Sequence, residues 1–438
     1  MRCQTAVLRG WIVWLFVSSG LWAAEPAYQL VVVTDPPDAI YTVGQPAKFT
    51  VTLKKGGQPV TEADLVCTLD KDGMPPATQK KLTLGNGTAV IQGTLDEPGF
   101  LRCRVSCTGP DKQVLTATAG AAFDPLKIPP SLPVPEDFDA FWAQQKARLA
   151  SVPMSPRFTP VKSPVDGIEC FDVEIACVPP RPVCGYFARP IGAAPRSLPA
   201  MLLVHGAGVR SSSLGGAAGS AKRYTALAMD INAHGIVNGK PDAFYRELAA
   251  GELKDYRAAG REDREKCYFL GMFQRLVRAM EFLTSQPEWD GQVLIVKGSS
   301  QGGGQAIAAA GLDPRVTFIS AGVPAICDHT GKAAGRINGW PKLVPDTDGK
   351  PDPKILQVAR YFDSMNFAAR AKAEAIFSVG FIDGTCAPTS VYAAYNNLPG
   401  KKQIVNEPLM GHSVSPRLER ATEAAILQHI AAKKNVTK

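Results

Sequence analysis

Val293 to Leu312 reads VLIVKGSSQGGGQAIAAAGL. An apolar run ends on two adjacent serines, three consecutive glycines follow, and small residues then continue at helical spacing. The run suits a buried strand and the small-residue stretch a helix, so the serines fall on the connection between them. There Gly298-Ser299-Ser300-Gln301-Gly302 satisfies G-x-S-x-G in a strand-to-helix context, the setting of a turn that displays a nucleophile. Small neighbours permit so sharp a turn and leave the central hydroxyl exposed at the strand's end. Ser300 is therefore the candidate nucleophile, and Ser299 a structural small residue. A helix N-cap role would explain the hydroxyl of Ser300 but not both flanking glycines.

On either side of this stretch the same alternation continues. IECFDVEIAC and VCGYFARP (168–177 and 183–190) suit a hairpin. PAMLLVHG, YTALAMDI, QVLIVKGS, VTFISAGVP, EAIFSVGF and KQIVNEP are then separated by helical patterns. Continuous apolar strands alternating with helices indicate an α/β fold with a mostly parallel sheet covered on both faces. The clearest helix, FLGMFQRLVRAMEFLTSQ (269–286), puts Phe269, Phe273, Leu276, Val277, Met280 and Leu283 on one side as core. PEDFDAFWAQQKARLASV (135–152) reads as another, with Phe138, Phe141, Trp142 and Leu149 as its apolar stripe.

A serine nucleophile needs a general base, and the base an acid that orients it; in such sheets they follow in the order Ser, Asp, His. His205 and His234 precede Ser300, while His429 sits in a C-terminal helix as a surface or packing residue. His329, in a loop, is a candidate substrate contact. His412 follows the last strand in NEPLMGHSVS, where a Gly-His loop can carry an imidazole over the turn, and is the favoured base. Asp383, directly after the apolar strand EAIFSVGF, is the favoured acid ahead of Asp328, Asp363 and Glu407. Its plainer role is that of a turn aspartate. The oxyanion donors expected are the backbone N–H of Gln301, directly after the nucleophile, and that of Ala207, between Gly206 and Gly208.

Residues 25–123 have another character. Short β-rich runs from YQLVVVT to VLTATAGAAF, separated by turn signals, indicate a small all-β sandwich of immunoglobulin-like kind. A proline-rich join beginning FDPLKIPP separates it from a second domain over 124–438. No candidate for chemistry precedes Met201, so the sandwich is expected to be a spacer or packing module, dispensable for catalysis. Residues 1–24 read as an export signal, with Arg2 and Arg9 ahead of the apolar run WIVWLFV and small residues after it. That run is too short for a stable membrane span. A periplasmic or extracellular location follows. The net charge of +8 comes from scattered Lys and Arg rather than a basic block, which argues against nucleic acid as a partner. Beyond Cys3, nine cysteines remain, an odd number; export permits disulfides, and Cys67 with Cys103 or Cys107 is the favoured pair. Cys170, Cys177 and Cys184 lack zinc-site spacing, and no cofactor or metal is called for.

Several segments resemble one family, the acetyl xylan esterases that include the cephalosporin C deacetylases. They are PEDFDAFW, FLGMFQRLVRAMEFLTSQPEWDG, GSSQGGGQAIAAAGLDPRV, and FIDGTCAPTSVYAAYN followed by MGH. The resemblance spans 124–438 and implies an α/β-hydrolase fold, with the family's triad falling on Ser300, Asp383 and His412. Two positions depart from the family pattern. Ala207 stands where an aromatic is usual, and DINAHGIVNG where an R-G-Q signature is usual. The resemblance also implies a homo-oligomer, although the family's ring-like members are commonly intracellular and lack the sandwich. The function expected is removal of acetyl groups from acetylated xylan or related sugars through an acetyl-enzyme. The alternatives are an exported serine hydrolase for another ester, such as a feruloyl ester, or for a peptide, and a non-catalytic carbohydrate-binding protein.

Overall fold

The computed structural model describes residues 28–108 and 112–435. The export signal expected over 1–24 lies outside the described residues.

The amino-terminal part is built of β1 (Tyr28–Thr34), β2 (Ile40–Tyr41), β3 (Ala47–Lys55), β4 (Gln58–Pro59), β5 (Asp64–Lys71), β6 (Met74–Thr83), β7 (Thr88–Gly93), β8 (Gly99–Thr108) and β9 (Val114–Phe123). One sheet runs β1-β3-β4 with β7 paired to β3, and the other runs β2-β9-β8-β5-β6. Period-two patterning makes the shared core: Ala47, Phe49, Val51 and Leu53 of β3 are buried while Lys48 is exposed. They meet Leu65, Val105 and Phe123 of the second sheet. Every β-rich run read from sequence over 28–123 forms a strand. The long strand not expected is β6, which carries Pro75 and lies at a sheet edge, where a missing backbone donor is tolerated.

The second part begins with α1 (Phe138–Ala150), whose buried side includes Phe138, Phe141, Trp142 and Leu149. Asp137 holds the N-cap position, so Pro135 and Glu136 precede the helix rather than starting it. Then follow β10 (Arg157–Val161), β11 (Ile168–Ile175), β12 (Val183–Pro190), β13 (Leu198–Val204), α2 (Leu214–Tyr224), β14 (Leu227–Ile231), α3 (Asp242–Ala250), α4 (Tyr268–Ser285), β15 (Trp289–Ser299), α5 (Gln301–Leu312) and β16 (Phe318–Gly322). After a two-stranded excursion, β17 (Asp346–Thr347) and β18 (Lys350–Pro351), come α6 (Pro353–Ala359), α7 (Ser364–Ala368), β19 (Glu374–Gly380), α8 (Pro388–Asn397), β20 (Lys402–Glu407) and α9 (Pro416–Asn435).

Nine strands form one sheet in the order β10-β11-β12-β14-β13-β15-β16-β19-β20. The first three run antiparallel, β12 also meets β14 antiparallel, and β14 through β20 are parallel. Alternate residues serve opposite faces. Leu202, Val204, Leu294 and Val296 share a core with α4 and α5, while Met201, Leu203, Val293 and Ile295 meet Leu418, Ile426 and Ile430 of α9. The chain passes from β13 to β14 on one side and returns across β13 to β15 on the other. The carboxyl ends of β13 and β15 therefore flank a topological switch point, where sheets of this kind open a crevice.

The sandwich does not stand apart. Phe100 of β8 and Ala122 of β9 belong to the same buried cluster as Phe381 and Tyr392. Among the described residues no helix is long and apolar enough to cross a membrane.

Candidate active site

Ser300 stands between β15 and α5 with φ 57 and ψ −124, a conformation costly for a residue with a side chain. It occupies the N-cap position of α5, yet its side chain makes no capping hydrogen bond. The turn is tight enough to require the flanking glycines. A Cβ on Gly298 would stand 2.6 Å from the carbonyl oxygen of Val204, and one on Gly302 only 2.2 Å from it. Ser299 instead packs against Gly322, where a Cβ would meet its Oγ at 2.6 Å.

The Ser300 hydroxyl meets His412 Nε2 at 2.9 Å, and His412 Nδ1 meets Asp383 Oδ2 at 2.8 Å. A carboxylate only accepts, so Nδ1–H donates to Asp383, and Nε2 is left to accept the serine proton. Asp383, 3% exposed, follows β19, and its other oxygen accepts from the N–H groups of Thr385 and Cys386 at 2.8 and 2.9 Å. The turn-aspartate and triad geometries thus coexist in one side chain. His412 follows β20 and is exposed. Cys386 lies beside them, and ligand atoms of Asp383, Cys386 and His412 fall within 4.8 Å of one another, the only cation-sized grouping of this kind among the described residues.

Of the other histidines, His234, His329 and His429 are buried and His205 is half-buried with its Nε2 enclosed. Burial lowers His205 and His329 to about 4 and His234 to about 3, so all three are neutral imidazoles at neutral pH. His329 was expected as a candidate substrate contact. It is instead fully enclosed, with no hydrogen-bond partner at either ring nitrogen. His429 is a buried packing residue rather than a surface one, its Nε2 2.9 Å from Thr317 Oγ1. Asp363 accepts from the N–H groups of Asp328 and His329, and Asp328 pairs with Arg336, so both shape the loop after β16. Glu407 accepts from Ser415 Oγ at 2.6 Å.

Gln301 opens α5, so its N–H is a first-turn donor with no acceptor inside the helix. The loop holding Ala207 leaves β13 directly beside the serine: a Cβ on Gly206 would lie 3.4 Å from Ser300 Cβ. Residues the sequence did not single out hold this loop. His234 Nε2 lies 3.2 Å from the carbonyl oxygen of Gly208, and Tyr268 OH 2.7 Å from His234 Nδ1. Arg210 donates to the carbonyls of Gly206 and Ala207 at 3.1 and 3.3 Å. Tyr256 OH donates to Gln301 Oε1 at 2.7 Å, tying the other donor's residue to the same cluster. The signal for His234 was the NAHG segment standing where the family's R-G-Q is usual.

The chemistry available is acyl transfer: a hydroxyl on a strained turn, a base in reach of its proton, an acid fixing the base, and two backbone segments converging beside the hydroxyl. Known proteins of this type are similar. Residues 127–430 match the acetyl xylan esterase (AXE1) family. An acetyl esterase of Xylanibacter ruminicola, Axe7A, is 30% identical over 389 residues, spanning 88% of this chain and 87% of that protein. The solved acetyl xylan esterase from a Paenibacillus species superposes with TM-score 0.59 at 28% identity, over 69% of this chain and 97% of that one. Acetyl xylan esterase 1 from a Thermoanaerobacterium species shares the fold, with TM-score 0.59 at 23% identity over 70% of this chain and 97% of that one.

Proposed function

The chain belongs to the acetyl xylan esterase family, and from that premise we propose that Ser300, His412 and Asp383 hydrolyse acetyl esters on xylan and xylo-oligosaccharides. One observation carries the assignment of roles: the unbroken chain from Ser300 Oγ through both imidazole nitrogens to Asp383 Oδ2.

Ser300 Oγ attacks the acetyl carbonyl as His412 Nε2 takes its proton. Asp383 keeps Nδ1 protonated and steadies the imidazolium. The N–H groups of Gln301 and Ala207 meet the developing oxyanion. The tetrahedral intermediate collapses, His412 protonates the departing sugar hydroxyl, and acetyl-Ser300 remains. Water then attacks, gives its proton to Nε2, and acetate leaves as the serine is restored. Burial of Asp383 favours this division of labour, since a shielded carboxylate interacts strongly with the imidazolium beside it.

The sandwich is an immunoglobulin-like module in this proposal, supported by its strand spacing and two-sheet pairing. Export is supported by Arg2, Arg9 and the apolar run after them. Self-association is supported by the family resemblance and is read by light scattering.

Acetate release from acetylated xylo-oligosaccharides tests the activity. On matched aryl esters, acetyl is expected to be cleaved faster than butyryl, each added methylene costing about 1 to 3 kcal/mol. A preference for butyryl or for a bulky aromatic acyl group contradicts the acetyl assignment.

A further inference from the structure

We infer that the amino-terminal sandwich is a working part of the catalytic site: Asp72 caps the helix behind Asp383, and the β8–β9 face seats the chain segments that carry Asp383 and His412. This rests on the triad assignment above.

Helix α8 starts five residues after Asp383, and nothing of its own covers its first turn. Ala387 holds the N-cap position and offers no side-chain acceptor, and Pro388 follows it. The next donor, the N–H of Thr389, is met from the sandwich by Asp72 Oδ2 at 3.3 Å. Thr389 Oγ1 donates to the same oxygen. An acceptor on the second N–H of a helix is what an N-cap side chain supplies, and here it comes from 317 residues away in the chain. Asp72 sits in the β5–β6 turn with φ 55, only 5% exposed, its own N–H donating to the carbonyl of Phe100 at 3.0 Å. The segment between Asp383 and Thr389 is therefore fixed at both ends, by Asp383 on the N–H groups of Thr385 and Cys386 and by Asp72 on Thr389.

The same face reaches the base. The Phe100 ring packs edge-on against Phe381 at 5.0 Å. Gly120 of β9 lies so close that a Cβ there would stand 2.7 Å from the carbonyl oxygen of Phe381, and its N–H donates to the carbonyl of Pro408 at 3.2 Å. Phe381 is two residues before Asp383, and Pro408 four before His412. Phe381 N–H in turn donates to the Glu407 carbonyl, and Ile382 N–H to that of Met410, joining the acid and base loops to each other. Asp72, Phe100 and Gly120 all lie outside the family match, which begins at residue 127. Positioning is the form the effect takes, since none of the three touches Ser300, His412 or the reacting carbonyl.

The test uses the full chain and three variants. Asp72→Ala removes the acceptor, Asp72→Asn keeps one, and Val51→Ala weakens the sandwich core from β3, in the sheet that does not carry Asp72. Asp72→Ala is expected to lower kcat about tenfold to a hundredfold, with KM within about twofold, because misplacing an acid and its base slows chemistry more than binding. Asp72→Asn restores most of kcat, and Val51→Ala leaves kcat unchanged at temperatures where it stays folded. Wild-type kcat in Asp72→Ala, or an equal fall in Val51→Ala, overturns the inference. Wild-type activity in Ser300→Ala overturns the triad assignment instead.

Discussion

At the scale of single residues, strain and burial mark the site. Ser300 keeps a positive φ that a helix cap would not need, and its hydroxyl faces His412 rather than the helix it starts. Ser300→Ala is expected to lower ester hydrolysis on the order of 10⁴-fold or more, leaving what binding and the oxyanion donors supply. Ser299→Ala retains measurable activity, and equal loss in the two folded variants contradicts the assignment. His234 acts through the loop it holds. His234→Ala frees the Gly208 carbonyl, and kcat/KM for acetyl esters is expected to fall about tenfold or more as an oxyanion donor loses its place. An unchanged kcat/KM sinks that role. Asp230, at the end of β14, accepts from the N–H of Ser213, and burial raises it to about 7. With its folded value above the unfolded one, the native state holds the extra proton between about pH 4 and 7, so stability falls as pH rises through that window. Asp230→Asn cannot titrate, so its stability relative to wild type is expected to improve from pH 5 to pH 8, by an amount on the order of a few kcal/mol. Denaturation midpoints that keep a constant gap across this range contradict it.

Elements were legible where local pattern and burial agreed. The β15–α5 turn, α4, the β11–β12 hairpin and the strands ahead of Asp383 and His412 all follow from apolar runs punctuated by glycine or proline. Pro75 hid β6, because a proline marks a strand as improbable until its edge position is known. Cysteine pairing also waited on register. Cys67 and Cys103, on the neighbouring strands β5 and β8, bring their sulfurs to 3.7 Å as thiols, which favours Cys103 over Cys107 as the partner of Cys67. Under oxidising conditions these two are expected to be the ones that join, stabilising the sandwich by about 2 to 4 kcal/mol relative to Cys103→Ser. Peptide mapping without reduction checks it, and a Cys67–Cys107 link contradicts it.

At the scale of the whole molecule, the parallel sheet, its two covered faces and the residues of the Ser300–His412–Asp383 hydrogen-bond chain were readable because each depends on short runs of chain. The contact between sandwich and sheet was not. Asp72 and Thr389 are separated by 317 residues, and nothing near either names the other. Nor did any local pattern tie His234 to Tyr268, or Tyr256 to Gln301. The sandwich therefore looked dispensable in sequence, whereas it shares a core with Phe381 and Tyr392 and lies against the segments leading to the acid and the base. The central claim is that acetyl groups pass through Ser300. The most direct measurement is mass spectrometry of acid-quenched protein during turnover of an acetylated xylo-oligosaccharide, with the peptide containing Ser300 examined for a covalent acetyl group. The expected result is acetylation of that peptide at Ser300 in the wild type and none in Ser300→Ala, which releases no acetate above background. Acetate release by Ser300→Ala at the wild-type rate, with no acetyl group ever found on Ser300, would contradict it.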